Sequence, residues 1–123
     1  MKKQNSLRLK IHKYINDKYA AEPEYLWLKF PDYAVFRHAD SRKWFALIAD
    51  VDREKLGLDG EGRVDALIVK IADPLLLDML VDGKSFFRGY HMNKKSWMTV
   101  ILDGSVEFKR ICALIDESFN ATN

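Results

Sequence analysis

The segment from Phe86 to Trp97 has the residue types that could bind a nucleic acid. Residues 84–97 contain four basic residues and no acidic one, with aromatic residues interspersed among them. Lysine and arginine neutralise phosphates and release counterions, while exposed aromatic rings stack on bases. The predicted nucleic-acid contacts in this segment are Arg88, His91, Asn93, Lys94, Lys95 and Trp97. The alternative is structural: Gly89 permits a tight turn, Asn93 caps it, Trp97 packs inward and the lysines are solvated.

A second basic group lies at the tip of a predicted β-hairpin. Arg37, Arg42 and Lys43 are candidate phosphate ligands there, beside His38. Such a tip could contact the nucleic-acid backbone as a wing does. The alternative is an ordinary charged turn, because Asp40 partly cancels the positive potential.

Other reactive residue types form no recognisable site. His38 and His91 could act as acid–base groups, but neither has a nucleophile or an orienting carboxylate at a known spacing, so we expect no enzymatic activity. Cys112 lies on the apolar stripe of a helix, which favours a buried, inert thiol. The acidic residues between positions 50 and 61 lack the order of an EF-hand, and the histidines lack metal-site spacing. We therefore expect no metal and no cofactor.

Hydrophobic periodicity predicts the elements that must position these residues. A first helix has Leu7, Ile11 and Ile15 on one face, with Ser6 as its N-cap, and ends before Pro23. A hairpin of strands over residues 33–37 and 43–51 follows. In its second strand, strict alternation places Phe45, Leu47, Ala49 and Val51 on one face and Trp44, Ala46, Ile48 and Asp50 on the other.

The second half of the chain continues with a strand, a helix, a strand and a helix. Leu67, Val69 and Ile71 form the inward face of the first strand. Asp73 and Pro74 suit the N-cap and first position of a short helix, whose inward residues are predicted to be Leu76, Met79 and Leu80. After an irregular stretch comes a strand over residues 97–102. The last helix has an apolar stripe, with Asp116 and Glu117 facing water.

Composition and length limit the class of protein. The chain has 123 residues, 48% of them hydrophobic and 31% charged, so we expect one globular domain over residues 1–123. No apolar run is long enough to span a membrane, and no apolar stretch follows the charged start as in a secretory signal. A single cysteine is typical of a reducing compartment, which predicts a cytoplasmic location.

Several motifs resemble the MmcQ/YjbR-like family, in the same order, over about 100 residues. The motifs cover residues 31–37, 43–47, 73–75, 89–104 and 114–119, including the run Gly89-Tyr90-His91-Met92-Asn93. The resemblance implies an α+β fold, a two-layer sandwich in which helices cover one face of an antiparallel sheet, similar to secretion chaperones. It also implies a suggested DNA-binding role. Arg88 and Ser96 depart from the family pattern, which often has proline and histidine at these positions.

Three hypotheses remain from the sequence. The first is a DNA-binding domain that contacts phosphates through its two basic loops. The second is a protein-interaction module, which predicts a large exposed apolar patch that could include Trp44, Phe87 and Trp97. The third is a small-ligand pocket beside Tyr90 and His91. The nucleic-acid hypothesis requires that the two basic loops, far apart in sequence, lie together and are not neutralised by carboxylates.

Overall fold

The fold is an α+β arrangement of three helices and a five-stranded antiparallel sheet. The computed structural model describes residues 3–89 and 92–123, with side chains from residue 7 onward. The helices are α1 (Lys3–Tyr19), α2 (Pro74–Leu80) and α3 (Phe108–Thr122). The strands are β1 (Ala34–Arg37), β2 (Trp44–Asp52), β3 (Arg63–Lys70), β4 (Phe86–Arg88) and β5 (Trp97–Ile101), in the spatial order β1-β2-β3-β5-β4.

One face of the sheet, the helix face, is covered by all three helices. Ile11 and Ile15 of α1, Ile111 and Ile115 of α3, and Leu77 of α2 are buried against it. Its own residues are Ala46, Ile48, Leu67, Val69, Met98 and Val100. The predicted two-layer α+β architecture is therefore confirmed.

The opposite face, the loop face, is covered by irregular segments instead of helices. Its buried residues include Leu47, Ala49, Val51, Ile68 and Ile101. Trp27, Leu56, Leu58 and Met92 pack against them from three separate loops. A cleft forms on this face between the loops and the sheet.

A β-bulge makes the alternation predicted for β2 wrong at both Trp44 and Phe45. The pairing with β1 shifts between Phe36, which lies opposite Ala46, and Arg37, which lies opposite Trp44. Phe45 is the extra residue, and it packs with Ala46 on the helix face while Trp44 joins the loop face. A bulge places two consecutive side chains on the same side of the strand.

Smaller corrections concern the helices and one strand. Helix α1 begins at Lys3, so Ser6 lies inside the helix and is not its N-cap. Asp73 caps α2 as predicted, accepting the N–H of Leu75. Leu80 packs inward as predicted, but the buried residue of the helix is Leu77, whereas Leu76 and Met79 are exposed. The stretch predicted to be irregular contains β4, whose three residues are too few to show a period.

Candidate nucleic-acid interface

The two basic loops lie at the same end of the sheet. In the antiparallel sheet, β1, β3 and β4 end where β2 and β5 begin. The register pairs Arg37 with Trp44, Lys70 with Trp97, and Arg88 with Met98. We call this region the basic end; its cations are Arg37, Arg42, Lys43, Lys70, Arg88, Lys94 and Lys95.

Each of the three arginines of the basic end forms an ion pair with a carboxylate, and two of them share one. The carboxylate of Glu24 forms ion pairs with Arg37, at 3.3 Å, and with Arg42, at 3.0 Å. Glu24 is held in place because its backbone N–H and C=O both bond to Val35 of β1, at 2.9 Å each. The arginines therefore have partners within the protein and attract an external anion less strongly.

Arg88 lies on the helix face of the sheet and has its own partners there. Its neighbour Phe87 packs on the loop face, so alternation along β4 turns Arg88 to the helix face. There its guanidinium pairs with Asp78 of α2 and donates to the carbonyl of Lys94 at 3.4 Å. Its contacts thus tie β4 to α2 and to the following turn.

The lysines differ from the arginines. Within residues 3–89 and 92–123, no ion pair involves Lys43, Lys70, Lys94 or Lys95. Lys43, Lys94 and Lys95 are exposed, and Lys70 is half-buried. Lys70 was not predicted as a site residue, although it follows Val64, Ala66 and Ile68 at period 2 and so shares their face.

In the turn before β5, Gly89, Asn93 and Trp97 make the structural contacts that the sequence offered as the alternative to nucleic-acid binding. The side-chain carbonyl of Asn93 accepts the N–H of Lys95 at 2.8 Å, and its main-chain carbonyl accepts the N–H of Trp97 at 2.9 Å. Gly89 is buried, and a Cβ there would lie 2.8 Å from the Cβ of Trp97. Trp97 is half-buried on the loop face. His91 and Tyr90 lie outside the described residues.

His38 is buried beneath the hairpin tip. Its Nε2 lies 2.7 Å from Oγ1 of Thr122, and its ring packs on Phe119 and Phe45. Burial lowers the pKa of His38, so the ring is held neutral and adds no charge to the basic end.

Ser118 of α3 forms hydrogen bonds to two strands at the basic end. Its hydroxyl donates to the carbonyl of Phe45, the bulged residue, at 2.6 Å and accepts the N–H of Lys70 at 2.9 Å. Ser118 is fully buried, so both bonds form away from water. One side chain thus ties the start of β2 and the end of β3 to α3.

A cleft and a groove lie side by side at this end of the loop face. The aromatic cleft, of about 330 Å³, is lined by Trp27, Phe30, Tyr33, Trp44, Leu47 and Met92. The lysine groove, of about 380 Å³, is lined by Lys43, Trp44, Lys70, Met92, Trp97, Ala121 and Thr122. Trp44 and Met92 form the wall that both share.

A polar cluster between α1 and α3 also escaped prediction. Asp116, expected to face water, accepts hydrogen bonds from Tyr14 at 2.8 Å, Tyr19 at 2.5 Å and Lys18 at 2.9 Å. Although burial raises the pKa of Asp116, the bonds from Tyr19, Lys18 and Tyr14 outweigh it and hold the pKa below its usual value. Burial and Asp116 raise the pKa of Tyr19. The cluster joins two helices.

Within residues 3–89 and 92–123, no group of three or more histidine, cysteine, aspartate or glutamate side chains is placed to hold a metal ion. No described helix has the length and apolar character needed to cross a membrane.

Comparison with known proteins identifies a family and a relative that this chain resembles. The YjbR family model matches residues 16–121. The uncharacterised protein YyaQ of Bacillus subtilis (strain 168) is 41% identical over 112 residues, which cover 91% of this chain and 94% of YyaQ.

Solved structures show the same fold. A crystal structure of a Pseudomonas syringae protein superposes with a TM-score of 0.89 at 43% identity, covering 94% of this chain and 98% of that one. A Deinococcus radiodurans protein with a DUF419 domain has a TM-score of 0.66 at 23% identity, covering 89% of this chain and 72% of its own; this likeness concerns the fold alone.

Proposed function

The chain belongs to the YjbR family, and from this premise we propose that it binds nucleic acid non-enzymatically through the lysines of its basic end. The single observation that carries the proposal is a set of four lysines, from three parts of the chain, that lie at one end of the sheet and form no ion pair with any described carboxylate. The three arginines of the same end are paired with Glu24 and Asp78 within the protein.

The number of free cations sets the expected strength of binding. A protein that neutralises about three or four phosphates loses affinity with salt at a log–log slope of roughly −3. Between about 50 and 200 mM salt, affinity should therefore fall by roughly 60-fold. Binding should be weak at physiological salt and nearly independent of sequence, because phosphate contacts carry no base information.

Two half-buried tryptophans favour a contribution from stacking. Trp44 and Trp97 both line the lysine groove, next to Lys43 and Lys70. Alternating cations and aromatic surfaces are typical of proteins that bind single strands, where the phosphates meet the cations and the bases stack. We expect single-stranded DNA to bind at least as tightly as a duplex of the same sequence.

The test is binding of labelled single-stranded and duplex DNA over a salt series, measured by fluorescence anisotropy. The double variant Lys94→Glu/Lys95→Glu should lose at least about tenfold in affinity at low salt and reduce the slope by about 2. The matched control is Lys84→Glu/Lys109→Glu, which makes the same change in net charge with two exposed lysines at the opposite end of the sheet.

Two outcomes contradict the proposal. One is absence of binding at low salt by the unmodified protein. The other is an equal loss of affinity in both double variants, which would show that net charge acts without a defined surface.

A second candidate function, a protein-interaction module, is favoured by α2. Phe87 is buried, which removes it from the apolar patch predicted by sequence, but Leu75 and Met79 are 72% and 81% exposed on adjacent turns. The partner tested first is a second copy of the chain. Sedimentation should show association that Leu75→Ser/Met79→Ser abolishes; a monomer at all concentrations counts against this candidate.

A further inference from the structure

We propose that the aromatic cleft binds a planar aromatic molecule that carries a carboxylate or phosphate, with its ring in the cleft and its anion on Lys43 and Lys70. This site shares Lys43, Lys70 and Trp44 with the proposed nucleic-acid surface, but its aromatic cleft and Lys94 and Lys95 belong to only one of the two proposals. The inference rests on the shape of the cleft, its lining and its neighbour.

The size and lining of the cleft suit one or two fused rings. Its volume of about 330 Å³ is at the small end of the range for ligand pockets. Leu47 of β2 forms its floor, and Trp27 and Trp44 meet nearly at right angles, at 86°, with ring centroids 5.8 Å apart. Two perpendicular indoles present a face and an edge to a guest ring, which are the two arrangements that aromatic pairs prefer.

The other side of the cleft is also aromatic. Phe30 stacks on Tyr33 with ring centroids 4.7 Å apart and an angle of 18°. Tyr33 in turn meets Trp27 edge-on at 5.9 Å. Phe30 is 39% exposed although its ring is apolar, so a ligand in the cleft would remove that surface from water.

The charges around the cleft select an anion. The lysine groove shares Trp44 and Met92 with the cleft, so a ligand that fills the cleft can extend its substituent toward Lys43 and Lys70. Neither ammonium group has a carboxylate partner within the described part of the chain. Contact of one anion with both ammonium groups is favourable, because hydrogen bonds between charged groups are stronger than neutral ones.

The same surroundings oppose a cationic guest. Aromatic cages often bind ammonium groups through the faces of their rings. Here the guanidinium of Arg37 already lies over the Trp44 ring, 5.9 Å from its centroid. The Trp44 ring already has this cation, and Lys43 and Lys70 line the adjoining groove, so a second cation would be repelled.

Matched probes test the proposal by isothermal titration calorimetry. The probes are 2-naphthoate, the neutral 2-naphthalenemethanol, the cationic 2-naphthylmethylamine and octanoate, an anion without a ring. We expect saturable binding of 2-naphthoate, at least about tenfold weaker binding of the alcohol and of octanoate, and none of the amine at about 1 mM.

Variants separate the two parts of the site. Lys43→Ala/Lys70→Ala should reduce the affinity for 2-naphthoate to that for the alcohol and leave the alcohol unchanged. Phe30→Ala and Trp27→Leu should weaken both probes. Phe30 is partly exposed, so its truncation keeps the test valid if Trp27→Leu destabilises the fold. Leu28→Ala is the matched control, because Leu28 is fully exposed and does not line the cleft.

The proposal is overturned if 2-naphthoate does not bind, if the amine or octanoate binds as tightly, or if Phe30→Ala and Trp27→Leu bind like the unmodified protein. Lys94→Glu/Lys95→Glu should retain binding of 2-naphthoate even where DNA binding is lost. This variant distinguishes failure at the cleft from failure of nucleic-acid binding.

Discussion

The two ends of the sheet carry opposite charges and use them differently. At the end opposite the basic end, which we call the acidic end, Asp50 pairs with Arg63 at 2.7 Å and Asp65 pairs with Arg8 at 3.4 Å. The Arg8 and Asp65 side chains are only 14% and 12% exposed, so this pair is part of the packing of α1 on β3. At the basic end, the lysines form no ion pair with the carboxylates that the structure describes.

Carboxylates of the acidic end also shape its turns. Asp82 accepts the N–H groups of Lys84, Ser85 and Phe86, which lead into β4. Although burial raises the pKa of Asp82, these bonds outweigh it and lower the pKa. Asp103 accepts the N–H of Ser105 in the same way. Charge at this end is therefore used to build structure, whereas the lysines at the basic end are available to a ligand.

The largest expected effect is the loss of the anchor beneath the basic end. Ser118→Ala leaves the Phe45 carbonyl and the Lys70 N–H buried without their partner, which should lower the free energy of unfolding by about 3 kcal/mol. Urea denaturation measures this change. Ser105→Ala, at an exposed serine, is the control and should change stability by less than about 0.5 kcal/mol. A loss at Ser118 no larger than the control would show that the anchor is unimportant.

The second-largest effect is the difference in free energy of unfolding between substitutions at the two ends of the sheet. Asp65→Ala leaves Arg8 nearly buried without its carboxylate, and we expect a loss of about 2 kcal/mol in the free energy of unfolding. Lys94→Ala/Lys95→Ala removes two charges at the basic end and should cost less than about 0.5 kcal/mol. Equal losses would mean that both ends contribute to the fold and that the contrast is false.

A smaller effect should appear when the basic end is given more charge. Glu24→Gln removes the one carboxylate that pairs with both Arg37 and Arg42, so both guanidinium groups become available to phosphates. Affinity for single-stranded DNA at low salt should rise by about tenfold, and the log–log salt slope should steepen by up to about 2. Asp17→Asn makes the same charge change on α1, away from the basic end, and should alter affinity far less. No difference between the two would contradict the role of pairing.

The smallest effect concerns Asp116, the carboxylate between α1 and α3. Its pKa is lower in the folded protein than the ordinary 3.8, so its stabilisation is complete above that value and is lost as the pH falls through the folded pKa. Asp116→Asn should lower stability by about 1 kcal/mol at neutral pH, because the group is partly exposed. The variant should also lose less stability than the unmodified protein on acidification below pH 3.8. Parallel acid unfolding curves would refute this.

Local sequence patterns predicted most of the elements but not all of their faces. The stripe of α3 and the inward residues of β5 follow from periodicity, because each is long enough to show its repeat. Phe45 was placed on the wrong face because a bulge is defined by pairing with β1, which no single strand reveals. Leu77 was missed because every residue from Leu75 to Leu77 is apolar, and only packing selects among them.

The candidate site was predictable only in part. The basic residues of both loops are visible in the sequence, and the antiparallel order brings them to one end. Their availability is not visible, since Glu24 reaches Arg37 and Arg42 only through its bridge to β1, and Asp78 reaches Arg88 only through the position of α2. Trp27 and Lys70 lie on neither loop and had no sequence signal of their own as site residues.

The sequence by itself determined the elements, the α+β class and the separation of charge along the chain, because these depend on local periodicity and composition. The tertiary structure decided which cations are free and where an aromatic cleft forms. Ion pairs and clefts are made by residues from separate elements, and the energy of a charge depends on the distance to its partner and on its exposure to water. In this protein Arg37, Arg42 and Arg88 lie within ion-pair distance of carboxylates, whereas no described carboxylate pairs with the lysines of the basic end.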